Sequence, residues 1–210
     1  TSLPLIIMKA IEQFYNDRVS EFSRTALAYR QRYNFFSFVR LSIFIAALGI
    51  AIIAGTWHWW AGVLFFMIFL GLFYQFVRWH SALARKQVHA THLADINQRE
   101  LEALAYRIDQ FPYDPPVSDV THPYAADLDI EGPYSLFQLL NRASTGLGKA
   151  ELNRFLCNPA SARVIADRQE AIRELTPQVA WRQELQALGI AAADDPAHVA
   201  GLTQWLELPN

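Results

Sequence analysis

Gly146-Leu147-Gly148-Lys149 is the segment whose residue types come closest to phosphate chemistry. A phosphate-binding loop needs G-x-x-x-x-G-K-[ST] between a strand and a helix, so that backbone N–H groups surround the phosphates and a hydroxyl holds Mg²⁺. Here the first glycine position is Ala143, the hydroxyl position is Ala150, and the preceding segment has a helical pattern. The segment therefore predicts a glycine-containing turn between two helices, with no nucleotide site.

Two further sets of residues have side chains suited to metal or nucleophilic chemistry. His89, His92 and Asp95 recur at intervals of three and so share one face of a helix. A metal site would need further ligands closing a tetrahedron or octahedron, so a solvated polar face is the favoured interpretation. Cys157 is the one cysteine, which excludes an internal disulfide and fits a reducing compartment. We predict no catalytic, cofactor or metal site in this chain.

The charge balance argues against a surface that tracks nucleic-acid phosphates. The net charge is −2 and the sequence pI is about 6.3. From Glu131 to Gly189, seven Lys or Arg residues face six acidic residues. Five basic residues could cluster after folding, although a solvated surface with local ion pairs is the favoured alternative. They are Arg142, Lys149, Arg154, Arg163 and Arg168.

A long charge-free segment organises the N-terminal half. The 37 residues from Leu41 to Val77 contain no Lys, Arg, Asp or Glu. One helix of that length would measure about 55 Å, too long for a hydrocarbon core of about 30 Å. We therefore predict two transmembrane helices, at about 35–54 and 60–77, joined by a turn over 55–60. Three tryptophans in that turn suit the membrane interface.

Charge bias orients this predicted transmembrane hairpin. Basic residues flank the hairpin and are absent from its turn, so the positive-inside rule places both chain ends in the cytoplasm. A cleaved signal peptide is disfavoured because a long polar segment precedes the first span. A buried hairpin of a soluble core is disfavoured because a core helix seldom runs so long without a polar face. We expect an integral protein of a bacterial inner membrane, with membrane lipid as a partner. The flanking basic residues are Lys9, Arg18, Arg24, Arg30, Arg32, Arg40, Arg78, Arg85, Lys86 and Arg99.

Helical periodicity continues on both sides of the predicted spans. Residues 5–33 and 80–110 carry apolar residues at helical spacing and are expected to pair as an antiparallel cytoplasmic stalk. Residues 1–110 would thus form the membrane hairpin with its stalk. The segment 111–126 is proline-rich and predicts a linker, because proline interrupts a helix.

Residues 127–210 predict a compact helical region, so the expected fold class is all-α. Gly132-Pro133 should open a first helix, and Ser144 or Thr145 should cap a second one that ends at Asn158-Pro159. A third helix is expected from about Ser161 to Leu188. Asp195-Pro196 should start a last one that runs through Trp205.

One stretch resembles a known family. Asp127-Leu-Asp-Ile-Glu-Gly-Pro-Tyr-Ser-Leu-Phe-Gln-Leu-Leu-Asn-Arg-Ala-Ser-Thr145, followed by Gly148-Lys149, Leu152, Phe155-Leu156, Pro159 and Arg168-Gln169, resembles the opening of the core (lever) domain of the MutS family. The resemblance covers about residues 122–188. Its motif positions are Asn141, Arg142, Thr145, Gly148, Lys149, Pro159, Arg168 and Gln169.

The resemblance implies the N-terminal portion of a membrane-anchored MutS-like protein. Its full-length form would bind ATP, Mg²⁺ and DNA and would dimerise through regions outside this chain. The chain departs from the family in lacking a Phe-x-Glu motif, and it has a membrane hairpin in place of the mismatch-reading domain. It also contains no ATPase phosphate loop. An alternative is a membrane-bound helical scaffold that binds another protein and has no DNA activity.

Within the resemblance, the expected roles are mechanical. Asn141, Arg142 and Thr145 are expected to serve as helix caps and interhelical hydrogen-bonding groups. Six apolar residues are expected to pack the core through which nucleotide state would reach DNA. They are Leu136, Phe137, Leu140, Leu152, Phe155 and Leu156.

Overall fold

The structure is a computed structural model that describes residues 3–111, 125 and 127–192. All regular secondary structure in this part of the chain is helical, which confirms the predicted all-α class. A short 3-10 turn covers Ile108–Gln110. The α-helices are α1 (Leu3–Trp57), α2 (Trp59–Leu104), α3 (Leu136–Leu140), α4 (Gly146–Cys157), α5 (Ala162–Leu175) and α6 (Val179–Ala192).

The chain divides into two compact units. One unit, which we call the apolar unit, is Ser20–Ala94 and contains the middle of α1 and most of α2. The other, the helical module, combines Thr1–Val19 with Asp95–Asn210. The two long helices thus contribute to both units.

In the apolar unit, α1 and α2 pack against each other in opposite directions. The ring of Phe44 lies 6.1 Å from that of Phe69 and 5.9 Å from that of Phe73, measured between centroids. Near the turn, a Cβ added to Gly62 would lie 3.0 Å from the carbonyl oxygen of Ala51 and 3.1 Å from Gly55 Cα. The two backbones therefore approach closely at a pair of glycines.

The connection between these helices is shorter than the predicted turn over 55–60. Helix α1 continues to Trp57 and α2 begins at Trp59, so His58 alone separates them. The last turn of α1 is held by Thr56 Oγ1, which donates to the Ile53 carbonyl at 2.7 Å. Gly55, Thr56 and Trp57, which were predicted as part of the turn, belong to α1, so the chain reverses at His58 alone.

By length and composition, one helical stretch in the described residues could cross a membrane. It is Leu5–Ile53, and the most apolar part of it is almost wholly exposed. In α2 the apolar stretch is Gly62–Gln75, whose 14 residues are fewer than the roughly 17–25 of a membrane-spanning helix. One possible transmembrane helix is therefore supported by the structure.

Helix α3 is shorter than predicted and begins later. Gly132 has φ of +115° and Tyr134 has φ of +65°, so the backbone at these positions cannot be helical. The prediction that Pro133 opens the helix is wrong. Ser135 caps it instead, and its hydroxyl accepts the Gln138 N–H.

The predicted third helix from 161 to 188 is also wrong, because it is two helices. Helix α5 ends at Leu175 and α6 begins at Val179, with Pro177 between them. Proline has no N–H to donate and its ring clashes with the preceding turn, so a helix stops before it. The predicted caps at Thr145 and Ser161 and the predicted end at Asn158 agree with the structure.

Two predictions fall largely outside the described residues. They are the linker over 111–126, of which Phe111 and Ala125 are described, and the last helix from 195 to 205. Of the predicted region 127–210, the structure describes residues 127–192. Phe111 is buried.

The interior of the helical module is not the one predicted. Phe137 is buried at 2% exposure, but Leu136, Leu140 and Phe155 are exposed and Leu152 and Leu156 are half-buried. The five-residue α3 has too few turns to bury more than one face. The interior is filled instead by residues of α2, of the loops and of α6: Ile96, Asn97, Phe111, Ile130 and Ala187.

Candidate functional site

A buried polar cluster links three helices of the helical module. Arg18 of α1, Asn97 of α2 and Gln183 of α6 meet there, with Asn97 wholly buried and Gln183 only 5% exposed. Arg18 donates from Nε to Asn97 Oδ1 at 3.2 Å and from Nη2 to Gln183 Oε1 at 2.7 Å. We call these three residues the Arg–Asn–Gln cluster.

The two amides of the Arg–Asn–Gln cluster also bind each other. Asn97 Nδ2 donates to Gln183 Oε1 at 3.1 Å, and Gln183 Nε2 donates to Asn97 Oδ1 at 2.9 Å. Buried polar groups are costly when unpaired, so this reciprocal arrangement fixes α6 in one orientation on α2. The cluster contains neither a nucleophile nor a general base, and its chemistry is positioning.

Sequence reasoning missed two members of this cluster. From the sequence, Arg18 is identified only as one of the basic residues that flank the predicted hairpin. Asn97 and Gln183 lie 86 residues apart, and no local pattern pairs them. The available signal is an amide at an apolar position of the helical pattern, since Asn97 lies four residues after Leu93 and four before Leu101.

Arg142, a motif position of the resemblance, connects α2 to the loop after α3. Its Nε donates to Glu100 Oε1 at 2.6 Å and its Nη2 to Glu100 Oε2 at 3.2 Å, a bidentate ion pair. Its Nη1 donates to the Leu139 carbonyl at 2.7 Å, and its guanidinium lies 5.3 Å from the Phe111 ring centroid. The expected interhelical role of Arg142 is therefore seen in the structure.

The neighbouring motif positions serve as caps. Asn141 ends α3, and its Oδ1 accepts the Ala143 N–H at 3.0 Å. Thr145 begins α4, and its Oγ1 accepts the Gly148 N–H at 3.1 Å. Gly146 to Lys149 form the first turn of α4, so the prediction of a turn between helices is wrong for this segment. The hydrogen bond from the Gly148 N–H to Thr145 stabilises this first turn, which contains both glycines.

The structure brings five of the eight motif positions together. Asn141, Arg142 and Lys149 line a cavity of about 190 Å³, and Arg142, Thr145 and Gly148 line an adjoining groove of about 690 Å³. The groove is open and continues over an apolar surface of α5 and α6. Its exposed apolar residues include Trp181, Leu185 and Leu188.

The other three motif positions lie elsewhere on the helical module. Pro159 is exposed beyond the end of α4, and Gln169 is exposed on α5. Arg168 places its guanidinium 3.5 Å from the centroid of the Phe155 ring, a cation–π contact between α5 and α4. None of the three lines the cavity or the groove around Arg142.

Of the five basic residues considered for a cluster, Arg142, Arg154 and Arg168 have contacts that do not bring them together. Arg142 pairs with Glu100, and Arg154 donates from Nε to Glu151 Oε2 at 2.7 Å. The hydrogen bond from Arg154 lowers the pKa of Glu151. Arg168 stacks on Phe155. The predicted local ion pair is confirmed for Arg154, which lies three residues after Glu151, whereas the partner of Arg142 is 42 residues away.

The candidate metal ligands and the cysteine take up structural positions. His89 and His92 are half-buried and Asp95 is exposed, and no group of three metal-binding side chains occurs among the described residues. Cys157 is 3% exposed, with Sγ 3.6 Å from Glu131 Oε1. Burial, and then the charge of Glu131, raises the pKa of this thiol, so it stays protonated and shielded.

No protein-family model, curated protein or solved structure matches this chain. Its function is therefore argued from the two surfaces that the structure presents. One is the exposed apolar surface of α1 and α2 in the apolar unit. The other is the helical module, in which Arg142 and the Arg–Asn–Gln cluster fix the helices around an open groove.

Proposed function

We propose that this chain is the membrane-anchored N-terminal part of a MutS-like protein. The observation that carries the anchor is the pair of antiparallel helices with a charge-free, outward-facing apolar surface. Phe38 is 74% exposed and Leu72 is 69% exposed, and 21 other large apolar side chains of the apolar unit are exposed as well. Water would make such a surface an aggregation site, whereas lipid is a favourable solvent for it.

In this proposal both helices span the bilayer, α1 at about 35–54 and α2 at about 60–77. Since α1 and α2 run in opposite directions, both flanks leave the membrane on the same side. Trp59 and Trp60 are exposed at the turn and would lie at the opposite interface. The basic residues on the flanks place that shared side in the cytoplasm of a bacterium.

The helical module would be the opening of the lever. Supporting this are the order and boundaries of its helices, with Asn141 ending α3, Thr145 starting α4, Pro159 following α4, and Arg168-Gln169 on α5. In the full-length protein, ATP, Mg²⁺ and DNA would bind at regions outside this chain, and a homodimer would form through them. Here the module transmits motion and performs no chemistry.

The anchor is tested by placing arginine on exposed apolar positions. Ile45→Arg with Leu72→Arg should reduce the fraction of the chain that resists alkaline carbonate extraction, because arginine at the centre of a span costs about 2.5–3.5 kcal/mol. Leu128→Arg with Leu147→Arg is the matched control, as these residues are equally exposed on the helical module. Extraction of the unsubstituted chain by carbonate would overturn the anchor.

The MutS-like assignment is tested by ATP turnover. The complete product of the reading frame should hydrolyse ATP, and the 210-residue chain should not. Lys149→Ala should leave turnover by the complete product unchanged, because Lys149 belongs to the first turn of α4. Absence of turnover in the complete product would favour the second candidate function.

That second candidate is a membrane-bound scaffold that binds another protein. The open groove of about 690 Å³ favours it, since exposed Trp181, Leu185 and Leu188 give the groove an apolar wall. Aromatic residues in such positions often anchor protein partners. In this case the likeness to the MutS family would reflect ancestry without DNA activity.

A further inference from the structure

Every charged residue of the apolar unit except Glu21, near its first residue, is basic. Between residues 22 and 94 there are seven Lys or Arg residues and no acidic residue, while the rest of the chain has eleven basic and twenty acidic residues. A transmembrane segment needs only a few flanking cations to fix its orientation. The seven are Arg24, Arg30, Arg32, Arg40, Arg78, Arg85 and Lys86.

The packing of α1 on α2 brings these cations to one end of the apolar unit. Phe44 contacts Phe69 and Phe73, and Gly62 approaches Ala51. Continuing the same antiparallel register places Arg78 level with residues 35–39 and Arg85 level with residues 28–32. Arg85 therefore lies at the height of Arg30 and Arg32, about two helical turns beyond Arg78.

These side chains are open to the surroundings. Arg30, Arg32, Arg78, Arg85 and Lys86 are exposed, and Arg40 is half-buried at the edge of the charge-free segment. No Asp or Glu occurs between residues 22 and 94, and Glu21, the one acid of the apolar unit, precedes Arg30 by nine residues, about 13 Å along α1. We call the six residues from Arg30 to Lys86 the basic collar: Arg30, Arg32, Arg40, Arg78, Arg85 and Lys86.

We propose that the basic collar binds the phosphate groups of anionic phospholipids. This inference rests on the proposed membrane anchor, which places the collar beside the headgroups. Arg40 and Arg78 border the charge-free segment and would reach the phosphates directly, with their aliphatic stems along the acyl chains. Arg30, Arg32, Arg85 and Lys86 extend the positive potential just outside, a pattern typical of binding to anionic lipid.

Native mass spectrometry of the full chain in neutral detergent tests the inference. Equimolar phosphatidylglycerol and phosphatidylcholine with identical acyl chains are added, and the ratio of the two bound lipids is measured. Each basic residue near the headgroups contributes a roughly fivefold preference, or about 1 kcal/mol. We expect a ratio of about ten or more, falling as salt is raised because salt screens exposed charges.

Two variants with four substitutions each distinguish the effect of the basic collar on lipid binding from the effect of net charge. Arg30→Gln, Arg32→Gln, Arg85→Gln and Lys86→Gln together should reduce the ratio about threefold or more, with Arg40 and Arg78 retaining part of the preference. The matched control changes four exposed cations of the helical module: Lys9→Gln, Arg107→Gln, Arg163→Gln and Arg173→Gln. It should keep the ratio of the unsubstituted chain, as should Arg30→Lys with Arg32→Lys and Arg85→Lys.

Carbonate extraction of the same proteins distinguishes the two possible failures. If the chain resists extraction but the collar variant keeps its lipid ratio, the inference about anionic lipid is wrong and the anchor stands. If carbonate releases the unsubstituted chain, the anchor itself fails, and with it the placement of the collar. An equal loss of lipid preference in the helical-module control would also overturn the inference, since net charge alone would explain it.

Discussion

At the scale of single residues, Gln183 is a side chain that joins α6 to both α1 and α2. Its Oε1 accepts from both Arg18 and Asn97, and its Nε2 donates to Asn97. Gln183→Leu keeps the approximate volume but leaves Arg18 and Asn97 short of partners in a buried site. We expect α6 to lose about 1–3 kcal/mol of local stability. Hydrogen exchange of residues 179–192 should then be roughly 5- to 150-fold faster.

Gln178→Leu is the matched control for this change. Gln178 is exposed just before α6, and its one side-chain hydrogen bond described, to the Glu174 carbonyl, is 3.5 Å long. Exchange in α6 should therefore change less than about threefold, as for a typical surface substitution. Equal effects of the two substitutions would show that the Arg–Asn–Gln cluster does not hold α6.

Gly189 makes the second prediction at the residue scale. A Cβ added there would lie 2.1 Å from Ser144 Oγ and 3.0 Å from Ser144 Cβ. Rotating the hydroxyl relieves the first clash but not the second, so Gly189→Ala should move the loop before α4 and cost about 1–3 kcal/mol. Hydrogen exchange in residues 141–150 and 179–192 should increase.

A double-mutant cycle with Ser144 isolates this contact. Ser144→Gly removes both clashing atoms, so Gly189→Ala should cost much less in the Ser144→Gly background than alone. If the two effects simply add, the close approach of α6 to the loop is not the source of the destabilisation.

At the scale of elements, the sequence predicted helices well where their ends have a local chemical cause. Thr145 and Ser161 cap α4 and α5 through their hydroxyls, and Asn158 with Pro159 ends α4. The break between α5 and α6 had an equally local signal in Pro177, which the helical spacing of apolar residues concealed. The start of α3 also had one, because Ser135 lies three residues before Gln138, the spacing of a capping box, but Gly132-Pro133 offered a competing start.

The crossing of α1 and α2 yields a prediction for the apolar unit. Gly62→Ala would place a Cβ 3.0–3.1 Å from the backbone of Ala51 and Gly55, so the helices must separate at the cost of about 1–3 kcal/mol. The temperature at which the detergent-solubilised chain loses its monodisperse size-exclusion peak should fall.

Gly71→Ala provides the comparison, because an added Cβ there meets nothing within 4 Å and alanine favours a helix more than glycine does. Its transition temperature should stay the same or rise. A fall as large as that of Gly62→Ala would mean that glycine matters for some reason other than the helix crossing.

At the scale of the whole molecule, the sequence predicts the properties of contiguous segments but not the contacts between distant residues. The charge-free segment and the charge bias could be read from the sequence because each is a contiguous property of the chain. The Arg–Asn–Gln cluster could not, since its members are separated by 79 to 165 residues and meet only after three helices have packed. The pairing of Arg142 with Glu100, 42 residues away, belongs to the same class.

The orientation of the chain in the membrane is the last prediction and follows from this distribution of charge. Five basic residues precede the first proposed span and Arg40 lies near its start, four follow the second span, and none lies in the turn. A reporter that is active only outside the cytoplasm should be active when fused after Trp57 and silent when fused after Arg99. Thr56→Arg with His58→Arg, combined with Arg40→Gln and Arg78→Gln, weakens the bias and should raise the activity after Arg99. Activity after Arg99 in the unsubstituted chain, with silence after Trp57, would reverse the proposed topology.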